Sequence, residues 1–354
     1  MGNRSENGRE QVRRQLTLAD VAEAAGVSLA TASRALYPRA RTVPEPVAER
    51  VRNAAQALGY VPNAHARSLA AGATTTVGLV VHDVSDPYYA EVAAGVVAEA
   101  DAAQLLTLMI ATQWDPPRVL EALSALRGQR ARAVVLAGSG FADDEYRRML
   151  RREVRALREA GIGVASISDH GASVDLVLPD NRGGAADLAR ALLDLGHRRF
   201  GIIGGRQDLV TGEERIAGFR EAIAAAGIEI AEQDVVYTGA TREGAYVAAT
   251  GFVERRQRPT AIFAVSDALA VAALGAILDR GIRVPDQLSI AGFSDVAPLR
   301  DVRPALTTVR LPLQEIGRAA LGLAISPTRS RARKRTVPAE IIMRASTARA
   351  PRRR

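Results

Sequence analysis

Two sets of residues in this sequence have types and spacings suited to chemistry. The first is Ser28, Leu29, Ala30, Ser33 and Arg34, which share one face of a short helical stretch, while Ala32, Ala35 and Leu36 share the opposite, apolar face. Small residues on such a face let its backbone approach another surface closely, and Arg34 brings donors for a guanine edge or a phosphate. The second set consists of polar residues placed just after short apolar runs. These are Asp83, Asp86 and Tyr88, then Asp180 and Asn181, Arg206 to Thr211, Ser266 and Asp267, and Ser294 and Asp295. Gathered around a cleft, they would hold a small polar ligand by hydrogen bonds. Covalent and metal chemistry find less support. With no cysteine, thiol catalysis and Cys-ligated zinc are excluded. His65, His82, His170 and His197 have no metal-ligand spacing. Lys334 is the only lysine, so no phosphate-binding Gly-x-x-x-x-Gly-Lys run exists, and Gly201, Gly204 and Gly205 do not form a dinucleotide fingerprint. No catalytic residue, metal or cofactor is expected.

The second set needs a scaffold of parallel strands. Between residues 77 and 311, short β-branched runs alternate with Ala-rich helical stretches: Val77–Val81, Leu105–Ile110, Ala133–Leu136, Val164–Ile167, Leu176–Leu178, Phe200–Ile203, Ala261–Val265 and Leu288–Ala291. Runs that are apolar throughout suit strands covered by helices on both faces. Helices are expected over Tyr88–Ala103, Pro117–Arg127, Asp187–Leu195, Glu213–Ala226 and Asp267–Asp279, with Gly161, Gly196, Gly227 and Gly281 in C-cap positions. The fold class is therefore α/β. At least eight strands predict two doubly wound lobes, whose ligands bind at the carboxyl ends of the strands.

The first set needs only helices. Thr17 is an N-cap for a helix burying Leu18, Val21, Ala22 and Ala25; Gly26-Val27 makes a turn, and Ser28 caps the second helix. A third helix entered through Pro44-Glu45-Pro46 is expected to bury Val47, Val51, Ala54, Ala55 and Leu58 and to end at Gly59. Such a trio is a helix-turn-helix, whose second helix lies in the major groove. From the pattern alone, the alternative is a helical hairpin packed on the body.

Length and charge agree with this division. The 354 residues suffice for two or three domains, and 47% apolar with 24% charged residues is ordinary for a globular chain. The longest apolar stretch, Ala268–Leu278, is too short to span a bilayer, and the polar, Arg-rich start is no secretory signal. A cytoplasmic protein is expected. The net charge of +8 is uneven: residues 1–70 carry +4, residues 71–325 carry −5 and residues 326–354 carry +9. Only the ends are basic, so total charge is a weak witness for a nucleic-acid partner.

The segment Thr17-Leu-Ala-Asp-Val-Ala-Glu-Ala-Ala-Gly-Val-Ser-Leu-Ala-Thr-Ala-Ser-Arg-Ala-Leu36 closely resembles the DNA-binding domain of the LacI/GalR family of bacterial transcription regulators. Leu58-Gly-Tyr-Val-Pro-Asn63 and Ala66-Arg-Ser-Leu-Ala70 resemble that family's third-helix exit and hinge helix. The body is similar at Asp86-Pro-Tyr-Tyr89, Leu195-Gly-His-Arg-Arg199, Arg215-Ile-Ala-Gly-Phe219, Gly292-Phe-Ser-Asp295 and Arg344-Ala-Ser-Thr347. The resemblance spans about residues 16–348. It implies a helix-turn-helix headpiece followed by a two-lobed, periplasmic-binding-protein-like effector domain. The implied boundaries are 1–15 for a disordered extension, 16–62 for the headpiece, 63–75 for the hinge helix and linker, 76–194 plus 310–327 for the first lobe, 195–309 plus 328–348 for the second, and 349–354 for a basic tail.

By the same resemblance, Leu29, Ala30 and Arg34 read operator bases, Thr31 and Ser33 lie nearer the phosphates, and Thr17, Ser28, Asn63 and Ala66 complete the DNA-binding set. Leu69 is implied as the apolar wedge in the minor groove, with a core contact as the alternative. Effector contacts are implied for Tyr88, Asp180, Asn181, Arg215, Ser266, Asp267, Ser294 and Asp295. For Arg215, the alternative is a surface ion pair with Glu213 or Glu214. Ser294 and Ser266 stand where sugar-binding members often carry Asp and Asn, so a nucleoside or sugar phosphate stays beside a sugar as the effector. The implied partners are a palindromic double-stranded operator, a small effector and a second copy of the chain, with no membrane. The implied function is a transcriptional regulator, a repressor, controlled allosterically by the effector. A solute-binding or sensor protein of the same two-lobe fold, without operator binding, is the alternative from another class. Arg329 to Arg335 is expected as a solvated loop before a last strand, Val337–Met343.

Overall fold

A computed structural model describes residues 16–36, 43–60, 75–327 and 332–351. The expected extension (1–15), the loop at 37–42, the hinge residues Asn63, Ala66 and Leu69, and Arg329 to Arg331 lie outside the described residues. The chain divides into two units, Met1–Thr74 and Thr75–Arg354.

The described part of the first unit is helical: α1 (Leu18–Ala24), α2 (Leu29–Leu36) and α3 (Glu45–Leu58). Thr17 caps α1 in a reciprocal box, its N–H donating to Asp20 Oδ2 at 2.7 Å while the Asp20 N–H donates to Thr17 Oγ1 at 3.4 Å. The three helices close on a small core of Val21, Ala22, Ala25, Ala32, Ala35, Ala48, Val51 and Ala55. On α3 the buried row is Ala48, Val51 and Ala55; Val47 and Ala54 are half-buried and Leu58 is exposed, so the apolar face is rotated from the one expected. Alanines at the contacts let these short helices approach closely, and Arg50 ties α3 to α1 by donating to the Ala25 carbonyl at 3.1 Å.

The second unit contains two six-stranded sheets. Its elements run β1 (Thr76–Val81), α4 (Pro87–Ala102), β2 (Leu106–Ala111), α5 (Pro116–Gly128), β3 (Ala133–Leu136), α6 (Asp144–Glu159), β4 (Gly163–Ile167), β5 (Asp175–Pro179) and α7 (Asn181–Asp194). They continue with β6 (Phe200–Gly204), α8 (Val210–Ala225), β7 (Val235–Tyr237), α9 (Arg242–Glu254), β8 (Ala261–Ala264), α10 (Asp267–Asp279), β9 (Ser289–Ser294), β10 (Thr307–Arg310), α11 (Leu313–Ile325), β11 (Lys334–Val337) and β12 (Glu340–Ile342). The sheet orders are β11-β5-β4-β3-β1-β2 and β12-β10-β9-β8-β6-β7. All pairs are parallel except β10 with β12. Central strands β3 and β8 are fully buried, which is why their sequences are apolar throughout. In each sheet the order reverses beside the first strand, between β1 and β3 and between β6 and β8. Those are the points where a doubly wound fold opens a crevice at its strand ends.

The chain passes between the lobes three times, and here the expected boundaries need correction. Helix α7 packs against α8, β10 and β12 of the second lobe, not with the first. Helix α11 returns to pack on α4, β3, β4 and β5. The last strand expected over Val337–Met343 begins earlier and is two strands in different sheets, so Lys334 and Arg335, expected in a solvated loop, lie in a strand. Lys334–Val337 extends the first sheet, Pro338-Ala339 interrupts the ladder, and Glu340–Ile342 joins the second. Gly218 lets α8 lie directly on α7, since a Cβ there would stand 2.1 Å from the Arg182 carbonyl oxygen.

Candidate functional site

In the first unit, the candidate surface is the start of α2. Ser28 caps it, its Oγ accepting from the Thr31 N–H at 3.2 Å and lying 2.9 Å from Thr31 Oγ1. Ser28, Leu29, Ala30 and Arg34 are exposed, and Leu29 keeps 54% of its surface open although it is the largest apolar side chain on the helix's first turn. Thr31 and Ser33 are half-buried. Arg34 folds back, its Nε donating to the Ala30 carbonyl at 3.0 Å. This face offers an apolar contact at Leu29 and Ala30, of the kind that meets a thymine methyl, and one guanidinium able to swing outward. Thr17 and Ser28 have their side chains engaged in capping.

In the second unit, the loops at both crevices meet across a cleft of about 870 Å³, part of it open to solvent. Its floor is Arg215 on α8. Although basic, this residue is only 8% exposed: Nε donates to Asn181 Oδ1 at 2.9 Å, Nη1 donates to the Val265 carbonyl at 2.7 Å, and the guanidinium lies 3.9 Å above the Phe293 ring. Burial lowers its affinity for the proton, and the nearby Tyr88 and Asp267 oppose that. Tyr88, a half-buried residue at the start of α4, has its phenol pushed up to about 12 by burial and stays a neutral hydrogen-bonding group. Ser266 caps α10 and Ser294 ends β9; both border the cleft. Asp267 borders it too, but its oxygens are engaged, Oδ1 by the Thr308 hydroxyl at 2.6 Å and Oδ2 by the Val296 N–H at 3.0 Å. Burial raises its pKa to about 6 despite those donors.

The two lobes are laced together along one side of the cleft. The Val210 N–H donates to the Gly140 carbonyl at 3.0 Å, the Ala142 N–H to the Asp208 carbonyl at 2.8 Å, and the Thr211 N–H to Ser139 Oγ at 3.1 Å. Arg206 adds a bond from Nη1 to the Trp114 carbonyl at 3.1 Å while Asp208 grips its other donors. Behind this seam His82 is buried and stacked on Trp114, with centroids 4.5 Å apart. Its Nε2 donates to the Ser139 carbonyl at 2.8 Å, and Nδ1 lies 3.1 Å from Thr112 Oγ1, whose hydroxyl is also within reach of the Val81 carbonyl at 3.2 Å. Burial depresses its pKa to about 4, so the ring is neutral at ordinary pH.

Comparison with known proteins agrees with both halves. Residues 17–63 match the bacterial regulatory proteins of the lacI family, and residues 189–347 match the periplasmic binding protein-like domain. The chain is 33% identical to the HTH-type transcriptional regulator DegA of Bacillus subtilis over 94% of its own length and 98% of that protein's. The chain belongs to the LacI family of bacterial regulatory proteins. The Escherichia coli regulator GalR is 32% identical to this family member, with 88% of each chain covered. Among solved structures, a transcriptional regulator CelR–cellobiose complex is 30% identical, with a TM-score of 0.68 over 94% of this chain and 99% of that one. A lac repressor dimer bound to operator and an anti-inducer, 20% identical, superposes with a TM-score of 0.82 over 95% and 100% of the two chains, which speaks to the fold. The helix-turn-helix plus two-lobe architecture expected from the sequence is therefore the one this LacI-family chain has, and its relatives are transcriptional regulators.

Of the eight implied effector residues, Tyr88, Arg215, Ser266, Asp267 and Ser294 border the cleft of this LacI-family body. Asn181 sits behind Arg215, bonded to it and to Glu214. Two residues are corrected. Asp180 is an exposed N-cap, its Oδ1 accepting from the Gly183 N–H at 2.8 Å. Asp295 points away into ion pairs with Arg310 at 2.8 Å and Arg344 at 2.6 Å. The surface ion pair considered for Arg215 does not form, because Glu214 bonds Asn181 instead. Arg206 and Thr211, candidates by their place after β6, do border the cleft, as do Trp114 and Ser139, which the sequence did not single out.

Proposed function

We propose that this chain is an operator-binding transcriptional regulator, a repressor, whose DNA affinity is set by a sugar bound between the lobes of its body. The observation that carries this is the joining, in one chain, of an exposed recognition-helix face with a cleft floored by the buried Arg215. Leu29, Ala30 and Arg34 read bases; Ser28, Thr31, Ser33 and Thr17 stand beside the phosphates; and Asn63, Ala66 and Leu69 belong to a hinge segment that enters the minor groove. Tyr88, Arg215, Ser266 and Ser294 contact the effector. Effector binding favours one arrangement of the lobes, operator affinity follows that arrangement, and the coupling is reciprocal.

The protein works as a cytoplasmic homodimer on a palindromic site. Among the described residues no helix is long and apolar enough to cross a membrane. The cleft is read as binding rather than catalysing: the oxygens of Asp267 hold Thr308 and Val296 in place, and the Nε and Nη1 of Arg215 are taken by Asn181 and the Val265 carbonyl. A solute-binding role has no use for the capped headpiece. Selection of operator fragments from random duplex DNA by the full chain tests the proposal. Palindromes with a central step open to wedging are expected, and recovery of asymmetric sequences would overturn the dimeric scheme.

A further inference from the structure

One tie between the lobes stands apart from the seam after β3 and β6. Glu91, half-buried on α4 of the first lobe, accepts through Oε1 from the Ala297 N–H of the second lobe at 2.6 Å. The seam bonds end on carbonyls and on the Ser139 hydroxyl, which are neutral acceptors. The Glu91 bond ends on a carboxylate, and a hydrogen bond to such an acceptor is about twice as strong.

The segment that Glu91 grips is held residue by residue. Ser294 and Asp295 have φ of 129° and 58°, a conformation that persists only where the surroundings enforce it. Asp295 is fixed by its ion pairs with Arg310 and Arg344, and the Val296 N–H donates to Asp267 Oδ2 at 3.0 Å. The next residue, Ala297, is tied by Glu91. Three consecutive residues thus have three charged anchors, of which Glu91 alone comes from the first lobe. The strap so held borders the cleft through Ser294 and Val296. On the first-lobe side, Tyr88 borders the same cleft and precedes Glu91 by three residues on α4, so the two share one side of the helix. Helix α4 cannot slide to keep the bond as the lobes move. Its Gly95 meets the Gln314 carbonyl and its Val92 carbonyl meets Gly317, so α4 and α11 pack backbone on backbone, with no room for a Cβ at either glycine. The Glu91 carboxylate therefore moves with the first lobe as one body, and parting the lobes breaks its bond.

We propose that Glu91 is a positioning residue that latches the second lobe's 294–297 strap to the first lobe and sets the fraction of molecules with a closed cleft. Only the consequence for the effector rests on the cleft being the effector site; the latch acts on the lobes whatever the cleft takes. The chain has no cysteine, so two introduced cysteines can be labelled selectively. Met149 on α6 and Val247 on α9 are exposed by 44% and 69%, one in each lobe, and each is replaced by cysteine. Energy transfer between the labels, with labelled chains diluted in an excess of unlabelled chain and no ligand added, reports the distance between the lobes. The parent is expected to show one main distance. Glu91→Ala is expected to raise the ratio of parted to closed molecules by about tenfold, and Glu91→Gln, which keeps a neutral acceptor at that place, by less. Distances in both variants that match the parent's overturn the latch, even if Tm falls. A parent already parted in most molecules overturns it as well. If Glu91→Ala does not fold, Glu91→Gln decides by the same criterion. With no effector present, none of these outcomes depends on what the cleft binds.

Discussion

Replacing His82 with glutamine should remove a large part of the body's sensitivity to acid. His82 and His170 are each 2% exposed, and burial holds both from 6.5 down to about 4. The folded state refuses a proton that the unfolded chain accepts, so the stability tied to each ring is complete above pH 6.5 and is lost as pH falls toward 4. Between pH 8 and pH 5 a shift of that size removes about 2 kcal/mol per histidine. Asp267 works in the opposite sense. Its carboxyl is raised from 3.8 to about 6, so acidification over the same span returns about 1 kcal/mol. The three groups together leave a net loss of roughly 2 to 3 kcal/mol. The assay is urea unfolding of the full chain at pH 8, 6.5 and 5, followed by the emission of Trp114, which reports on the body. His82→Gln should be less stable than the parent at pH 8, because the stack on Trp114 and the bonds to Ser139 and Thr112 are disturbed. Its further loss between pH 8 and pH 5 should be smaller by about 2 kcal/mol. An equal loss in parent and variant would mean that His82 titrates as a solvated imidazole, and the wall behind Trp114 would not be built as described.

Gly218→Ala should cost about 1–3 kcal/mol and blunt the ligand response, because the new methyl drives α8 off the Arg182 carbonyl and disturbs the Asn181–Arg215 bond; Tm and sugar titration read both effects. Arg34→Ala should weaken operator binding by about 1–3 kcal/mol and relax selection at one base pair, measured on a panel of single-base operator variants. Leu69→Ala should reduce specific binding far more than non-specific binding in a competition assay, and equal losses would make Leu69 a packing residue.

The apolar runs made most of the body legible. Ala133–Leu136 and Asp267–Asp279 coincide with β3 and α10 because a strand buried on both faces and a helix capped by Ser266 each leave a complete local signature. Val235–Tyr237 left none: it is a three-residue edge strand, half-buried throughout. The start of β11 was hidden because Lys334-Arg335-Thr336 is basic and polar like a loop, and its pairing because nothing local shows which lobe supplies the partner of β11 or of β12. Family position pointed to Arg215, which borders the cleft; its partners lie 34 and 50 residues away and could not be read from spacing. The same logic misplaced Asp295, since nothing local shows that Arg310 and Arg344 hold it. Trp114 borders the cleft without any polar signal in the sequence, where the candidates were polar residues after strands. Its local mark, the left-handed Gln113–Trp114 pair, is visible only in the backbone.

The central claim is that occupancy of the cleft sets the affinity of the headpiece for DNA. Its most direct test is operator affinity of the parent chain and of Arg215→Met, each with and without a sugar that raises the parent's Tm. The parent should change its operator affinity on adding the sugar, by the 5- to 150-fold or so typical of coupled sites. Arg215→Met should bind operator as the parent does without sugar and not respond to it. An unchanged response in the variant, or a parent whose operator affinity ignores the sugar, would contradict the account.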